Sequence, residues 1–238
     1  MDKQQLIFDG FEKQIYSTED PDVVILHFKD DITAYNNIRR ARLSGKGELN
    51  CAISALLFEY LRKKGVSTHF IARQGTNDLV CRKVQSIPIV LVVHNYVAGS
   101  LASKLALPEG FKPATVIYDL RYNNTELGDP LINDSQAVAL GIASFDDLAA
   151  MYAYARSINT MLVSLFAAAG LKFVDIKLQF GKTSDGELIV SDEISPDTCR
   201  IWDAETGEKH DKDRFRHDMG WIVDSYAEVL HKLQSIKE

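Results

Sequence analysis

The chain has 238 residues and a net charge of −6, with 46% hydrophobic and 25% charged residues. This length suits one large domain or two closely packed small ones, and the composition is that of an ordinary globular protein. The negative charge argues against a nonspecific nucleic-acid binder, and the apolar run from Ile87 to Val93 is too short to span a membrane.

Strand patterns dominate the first hundred residues. The β-rich segments that predict strands are Gln14–Ser17, Val23–Phe28, Leu79–Val84 and Ile87–Val93. One helix is predicted between them, from about Asn50 to Lys64, because apolar residues recur there at helical spacing and Gly65 follows as a stop signal.

The second half alternates between loop, strand and helix. The proline-containing stretch from Leu107 to Asp134 is predicted as loop-rich. Ser144 to Asp147 has the pattern of a capping box and predicts a helix that ends at Gly170, and a last helix is predicted from about Asp211 to Leu233. The pattern indicates an α+β fold, with a mainly antiparallel lobe at 1–100, an α+β lobe at 101–238 and a ligand cleft between them.

The segment from Phe173 to Gly181 predicts a strand with a polar face. Side chains alternate along a strand, so Asp175, Lys177 and Gln179 share one face. A turn signal at 183–186 is followed by a second extended segment, and closing this hairpin would bring Asp192 close to Lys177 and Gln179.

A lysine between acidic residues at the end of a hairpin suits a magnesium-bound triphosphate. The carboxylates can hold the cation, while the ammonium neutralises phosphate charge. From spacing alone, an ordinary edge hairpin with a solvated charged face is an equal alternative.

Cysteine usage favours a reducing compartment. The chain has three cysteines, and Cys51, Cys81 and Cys199 form no CxxC pair. This pattern argues against a disulfide framework or a zinc site. No signal-peptide pattern begins the chain, and we expect a cytoplasmic protein without a membrane partner.

Several segments in the same order resemble signature blocks of the SAICAR synthetase family. They are Ile87–Ser100, Val174–Gly181, Asp192–Asp197 and Arg200–Asp203, together with Tyr16–Asp22 and Asp211–Arg216. The resemblance covers nearly the whole chain. It implies a two-lobe α+β fold whose ATP-binding lobe is similar to that of protein kinases.

The resemblance also implies an activity. The family uses ATP and Mg²⁺ to activate the carboxylate of an aminoimidazole ribonucleotide as an acyl phosphate, and the amine of aspartate then displaces phosphate. The implied partners are therefore a small-molecule ribonucleotide and an amino acid, without nucleic acid. Because family members often form dimers or larger assemblies, a homo-oligomer is implied as well.

Matching positions imply a nucleotide site. Gly10 and Lys13 match a glycine-led loop over the ATP phosphates, and Lys177 and Asp192 match the hairpin pair at the triphosphate, with Asp192 as the metal ligand. Gln179 matches another position that, by the resemblance, contacts the nucleotide and its metal ion. The residues implied as catalytic are Lys177, Lys13 and Asp175.

A second set of positions implies a site for the acceptor substrate. Ser100 and Arg200 match the pair that holds the substrate phosphate, and His94 stands at a clamp position. The further substrate-binding residues implied by the match are Asp129, Lys46 and Arg216.

The chain also departs from the family pattern where ligands should bind. Gln179 replaces a glutamate, Phe11 replaces a loop lysine, and His94 and Tyr96 replace arginines. The other departures are Val90 for a glutamate, Gly128 for a histidine, Asn123-Asn124-Thr125 for an acidic run that begins with lysine, and Thr33-Ala-Tyr-Asn-Asn37 for Ser-Ala-Gly-Asp-Gly.

These departures favour a paralogue with an altered substrate, since the core pattern is kept while ligand positions change. A divergent orthologue with compensated changes is the alternative. We expect a carboxylate–amine ligase; a small-molecule kinase or a non-catalytic nucleotide-binding protein would also fit the same pattern.

Overall fold

The N-terminal part of the protein contains a five-stranded antiparallel sheet with the order β1-β2-β3-β7-β6. The computed structural model describes residues 1–35 and 38–236. The strands of this sheet are β1 (Leu6–Asp9), β2 (Lys13–Ser17), β3 (Val23–Phe28), β6 (Phe70–Gln74) and β7 (Asp78–Arg82). A ribbon of β4 (Asp31–Ala34) and β5 (Arg39–Arg42) follows β3, and α1 (Lys46–Lys63) precedes β6. The predicted departures at Asn36 and Asn37 lie outside the described residues.

A second sheet has the order β10-β9-β8-β11-β12, with β13 also paired to β11. Its strands are β8 (Gln85–His94), β9 (Ile117–Tyr122), β10 (Leu131–Ile132), β11 (Leu171–Lys182), β12 (Leu188–Ser191) and β13 (Cys199–Asp203). The helices around it are α2 (Ser100–Leu105), α3 (Asp134–Ala139), α4 (Phe145–Ala168), α5 (Asp213–Arg216) and α6 (Ile222–Gln234). The α+β class and the antiparallel N-terminal sheet are confirmed.

Strand β8 belongs to the second sheet, because it pairs with β9 on one side and β11 on the other. The change between sheets therefore falls at residues 83–84, before the predicted lobe boundary at residue 100. A bridge between Thr68 and Val190 joins the two parts. One continuous core contains apolar side chains from both sheets, such as Phe28, Leu91 and Phe180.

Three predicted elements differ in the structure. The loop-rich middle contains the strand β9, whose ladder with β8 outweighs the surrounding prolines. Helix α1 begins at Lys46, about one turn before the predicted start, after Gly45 with a φ of 86°. The last predicted helix is divided into α5 and α6, and Asp218 and Trp221 adopt positive φ angles between them.

The long helix α4 is confirmed together with its cap. The Asp147 backbone N–H donates to Ser144 Oγ at 3.0 Å, and the Ser144 N–H donates to Asp147 Oδ2 at 3.2 Å. In the described ranges, no helix is long and apolar enough to cross a membrane.

Candidate active site

A polar cleft of about 770 Å³ opens where β4, β8, β9, β11 and α5 meet. It contains six of the residues that the sequence analysis selected. These are Lys177, His94, Ser100, Arg200, Asp129 and Arg216. The cleft therefore brings together most of the predicted acceptor site.

The nucleotide hairpin forms beside this cleft. Gln179 on β11 pairs with Ser191 on β12, and the Gln179 amide Nε2 donates to Asp192 Oδ2 at 3.0 Å. The predicted proximity of Gln179 and Asp192 is confirmed. Lys177, two residues before Gln179 on β11, forms no ion pair or hydrogen bond with Asp192 in the described structure; its side chain lines the cleft instead.

Lys13 takes the place beside Asp192 that the hairpin pattern predicted for Lys177. Its ammonium forms an ion pair with Asp192 Oδ1, and a second with Glu193 Oε1 at 2.8 Å. Burial opposes the Lys13 charge, but the two carboxylates outweigh it and raise the pKa of Lys13. The ammonium is therefore charged throughout the physiological range.

The glycine-led loop that carries Lys13 is tightly closed. The Gly10 N–H donates to the Lys13 carbonyl at 2.9 Å. A Cβ at Gly10 would lie 2.7 Å from the Phe8 ring and 3.0 Å from the Lys13 carbonyl, so a larger residue would force the loop to shift. Glu12 in the same loop pairs with Lys212 at 2.5 Å, which joins the loop to the C-terminal part.

Lys177 is a cation without a partner in the cleft. Within residues 1–35 and 38–236, its ammonium has no hydrogen bond or ion pair. Desolvation by the cleft walls, followed by the charges of Arg216, Lys212 and Arg200, lowers the pKa of Lys177 to about 8. The side chain still contacts solvent at the open side of the cleft, so an anionic ligand could reach it.

His94 lies between two carboxylates at the floor of the cleft. Its Nε2 is 3.5 Å from Asp119 Oδ2, and its Nδ1 is 3.5 Å from Asp175 Oδ2. Burial opposes the charged ring, but Asp119 and Asp175 outweigh it and raise the pKa of His94. The charged form of the His94 ring is thus stabilised relative to a free imidazole, at a position where the resemblance implies an arginine.

Arg200 is oriented by two buried carboxylates. Its Nη1 donates to Asp175 Oδ2 and its Nε donates to Asp213 Oδ2, each at 2.7 Å. Asp213 also accepts from Arg216 Nη1 at 2.5 Å. Asp175, predicted as catalytic, is therefore enclosed beneath Arg200 and His94, with 2% of its surface exposed.

The main chain approaches Arg200 closely. A Cβ at Gly99 would clash with the Arg200 guanidinium, and the φ of 55° also favours glycine immediately before Ser100, the first residue of α2. Across the cleft, Asp129 has a φ of 50°, and its Oδ1 has no hydrogen-bond partner in the part of the chain that is described. A donor on a ligand could satisfy this oxygen.

Two residues that the sequence analysis placed at ligand positions, Lys46 and Tyr96, lie outside the cleft in the structure. Lys46 is 1% exposed and pairs with buried Asp197 at 2.6 Å, so it does not face the cleft. Tyr96 is absent from the cleft walls; its ring lies under Lys112 and Lys172, with ammonium-to-centroid distances of 5.9 and 5.4 Å. His94, the last residue of β8 and two residues before Tyr96, lines the cleft instead.

The sequence analysis missed the carboxylates that organise the cations. Glu193 pairs with Lys13, Asp213 holds Arg200 and Arg216, and Asp119 faces His94. Asp213 and Glu193 lie inside the segments that resemble the family. Their place in these segments could have identified them as site residues. Asp119 lies in the strand that was predicted as loop.

The hairpin carboxylate that could hold magnesium is engaged by protein donors in the described structure. Both carboxylate oxygens of Asp192 already accept from nitrogen donors, Lys13 and Gln179. Across the described ranges, no group of three His, Cys, Asp or Glu side chains is arranged to hold a metal ion. Asp192 as a metal ligand therefore stays a prediction, and a cation there would have to replace at least one of these contacts.

Comparisons with known proteins agree with the fold. The chain is 44% identical over 233 residues to the phosphoribosylaminoimidazole-succinocarboxamide synthase of Clostridium acetobutylicum, covering 98% of this chain and 99% of the relative. The crystal structure of the enzyme of the same name from Ehrlichia chaffeensis superposes with a TM-score of 0.95 at 38% identity, covering 98% of this chain and all of the other.

A second solved structure, a SAICAR synthetase in complex with ADP, superposes with a TM-score of 0.93 at 42% identity, covering 97% of this chain and 98% of the other. The model of the SAICAR synthetase family matches residues 6–233. Because the match extends over nearly the full length of sequence and structure, the chain belongs to the SAICAR synthetase family.

Proposed function

We propose that this chain is an ATP-dependent ligase that forms an amide between the carboxylate of an aminoimidazole ribonucleotide and the amine of an amino acid, with aspartate as the default amine. Family membership supports the reaction class. The relative of known structure that holds ADP supports the use of a nucleotide. The altered ligand positions support a narrower proposal, that the acceptor is a variant of the family substrate.

The observation that carries the proposal is that strand β11 contributes one residue to the nucleotide hairpin and another to the cleft. Its residue Gln179 reaches the hairpin where Lys13 and Asp192 meet, and its residue Lys177 enters the cationic cleft. A phosphoryl group bound near Lys13 and a carboxylate bound near Lys177 would therefore lie along one rigid strand. Such positioning favours transfer between two bound reactants.

The reaction would proceed in two steps, phosphoryl transfer to the acceptor carboxylate and then amide formation. A carboxylate oxygen of the acceptor attacks the γ-phosphorus of ATP, and ADP leaves with the electron pair of the broken bond. The amine nitrogen then attacks the acyl carbon, phosphate leaves, and an amine proton passes to solvent. Lys13 and Lys177 would stabilise the developing phosphate charge, and we assign magnesium to the nucleotide phosphates rather than to protein ligands.

The acceptor phosphate would bind among Arg200, Ser100 and His94. Arg200 is held from behind by Asp175 and Asp213, so its position is fixed before the ligand arrives. Arg216, Lys212 and Lys177 add positive charge on the same wall of the cleft.

The test is product analysis with purified protein. The chain is incubated with ATP, a carboxylated aminoimidazole ribonucleotide and aspartate, and mass spectrometry is used to follow the succinocarboxamide and ADP. We expect amide formation that requires both ATP and aspartate. A stable phosphorylated product without amine would identify a kinase, and nucleotide binding without ADP formation would identify a non-catalytic protein. Parallel reactions with other azole carboxylates and amino acids test the altered-substrate proposal.

A further inference from the structure

Two positions at which the chain departs from its family contact each other. The Asn123 amide Nδ2 donates to Gln179 Oε1 at 3.3 Å, and Gln179 Nε2 donates to Asp192 Oδ2 at 3.0 Å. The sequence analysis found a lysine and a glutamate as the usual residues at positions 123 and 179. Two residues that are charged in the family pattern are thus neutral amides in this chain, and they contact each other.

The direction of this chain of hydrogen bonds is fixed at its end. An ionised carboxylate only accepts hydrogen bonds, so the Gln179 amide must present its NH₂ group to Asp192. The Gln179 oxygen then faces away from Asp192, toward the donor on Asn123. An NH₂ group cannot ligate a cation, whereas a carboxylate at the same position could.

The second oxygen of Asp192 is also engaged. Lys13 pairs with it and, at the same time, with Glu193 Oε1 at 2.8 Å. Both oxygens of Asp192 are therefore occupied by protein donors: one accepts from the ammonium that Asp192 shares with Glu193, and the other accepts from a neutral amide. A divalent cation could bind there only by displacing Lys13 or by turning Gln179 away from two partners.

We propose that the Asn123–Gln179–Asp192 chain is a specificity element that closes the hairpin to divalent cations, so that this protein holds its nucleotide mainly through its own cations. The inference rests on the proposed nucleotide use. It concerns a ligand preference of this chain, since at position 179 a neutral amide stands in place of an anionic group that would attract a hard cation.

The first test measures metal binding without nucleotide. Mn²⁺ is titrated into wild type and Gln179→Glu, and the free ion is followed by electron paramagnetic resonance. We expect Gln179→Glu to bind Mn²⁺ at least about tenfold more tightly than wild type, on the scale of a changed metal shell. Gln234→Glu adds the same charge on α6, far from the hairpin, and should behave like wild type. Equal Mn²⁺ affinity in wild type and Gln179→Glu would overturn the proposal.

The second test uses the unmodified chain, so it does not depend on the folding of a variant. Calorimetry compares ADP binding in EDTA and in excess Mg²⁺. We expect the two dissociation constants of wild type to differ by less than about threefold. A wild type that binds ADP only with Mg²⁺ would overturn the proposal. Absence of ADP binding in both buffers would instead contradict the proposed function, while the Mn²⁺ titration would still decide the inference.

Discussion

Lys46 and Asp197 form an ion pair inside the protein, with 2.6 Å between Nζ and Oδ2 and 1% of each side chain exposed. Asn50 Nδ2 and Tyr226 Oη donate to the same carboxylate, each at 2.7 Å. Burial opposes the Asp197 charge, but Lys46 and then Lys212 outweigh it and hold the pKa of Asp197 well below its usual range. The pair joins α1, α6 and the segment after the hairpin.

The first prediction is that Lys46→Met destabilises the protein by about 3–5 kcal/mol, because it leaves a buried carboxylate without its counter-ion. Denaturant unfolding of both proteins at neutral pH measures the loss. Lys83→Met removes an exposed lysine and should change stability little. A loss no greater than that of the control would show that Asp197 is satisfied by Asn50 and Tyr226 alone.

The second prediction concerns the cation of the cleft. Lys177→Ala should lower turnover by at least about a hundredfold, the scale of one preorganised charge at a transferring phosphoryl group. Steady-state kinetics of amide formation measures the effect. A variant that retains near wild-type turnover would remove Lys177 from the mechanism.

Lys177→Ala should also change how the stability of the protein depends on pH. The folded-state pKa of Lys177 is lowered to about 8, so its charge opposes folding below that pH. Wild-type stability therefore gains from its deprotonation as pH rises from about 8 toward the ordinary lysine value near 10.4. Lys177→Ala should melt no lower than wild type at neutral pH, and its relative stability should decline across this window. A large loss of stability at neutral pH would instead indicate a structural role.

The third prediction concerns His94. Since its folded-state pKa is raised, the charged ring contributes stability that is complete below the unfolded pKa near 6.5 and is lost as pH rises through the folded pKa. His94→Gln should therefore destabilise the protein more at about pH 6 than at about pH 9. Thermal melting at both pH values measures this, with His231→Gln on the exposed face of α6 as the control.

The ligand effect of His94 has the same direction. A bound phosphate would favour the charged ring further, so the acceptor KM of wild type should fall as pH is lowered. His94→Gln should lose that dependence. A wild-type KM that is independent of pH would contradict a phosphate contact by His94.

The fourth prediction is that Arg200→Lys raises the acceptor KM at least about tenfold, because an ammonium cannot keep the contacts to Asp175 and Asp213 while it also faces the ligand. The kcat should change less than KM if Arg200 only holds the phosphate. Arg121→Lys, on the opposite cleft wall and paired with Asp119 at 3.3 Å, is the matched control. Equal effects of both variants would show that the loss does not depend on the contacts of Arg200 with Asp175 and Asp213.

Local features of this protein were determined by the sequence itself. The hairpin that places Gln179 beside Asp192 depends on strand alternation and a short turn, and the cap of α4 depends on Ser144 and Asp147, three residues apart. Such contacts form between neighbours along the chain. They are therefore visible as spacing, and the collinear family segments extended the prediction to the whole fold.

Only the tertiary structure decided which charges meet. Lys46 and Asp197 are 151 residues apart, and Lys13 and Asp192 are 179 residues apart. No spacing rule links such residues, because their proximity depends on how the two sheets pack on a shared core. The same packing buried Lys46, placed Lys13 beside the Asp192 carboxylate that was expected to partner Lys177, and left Lys177 lining the cleft.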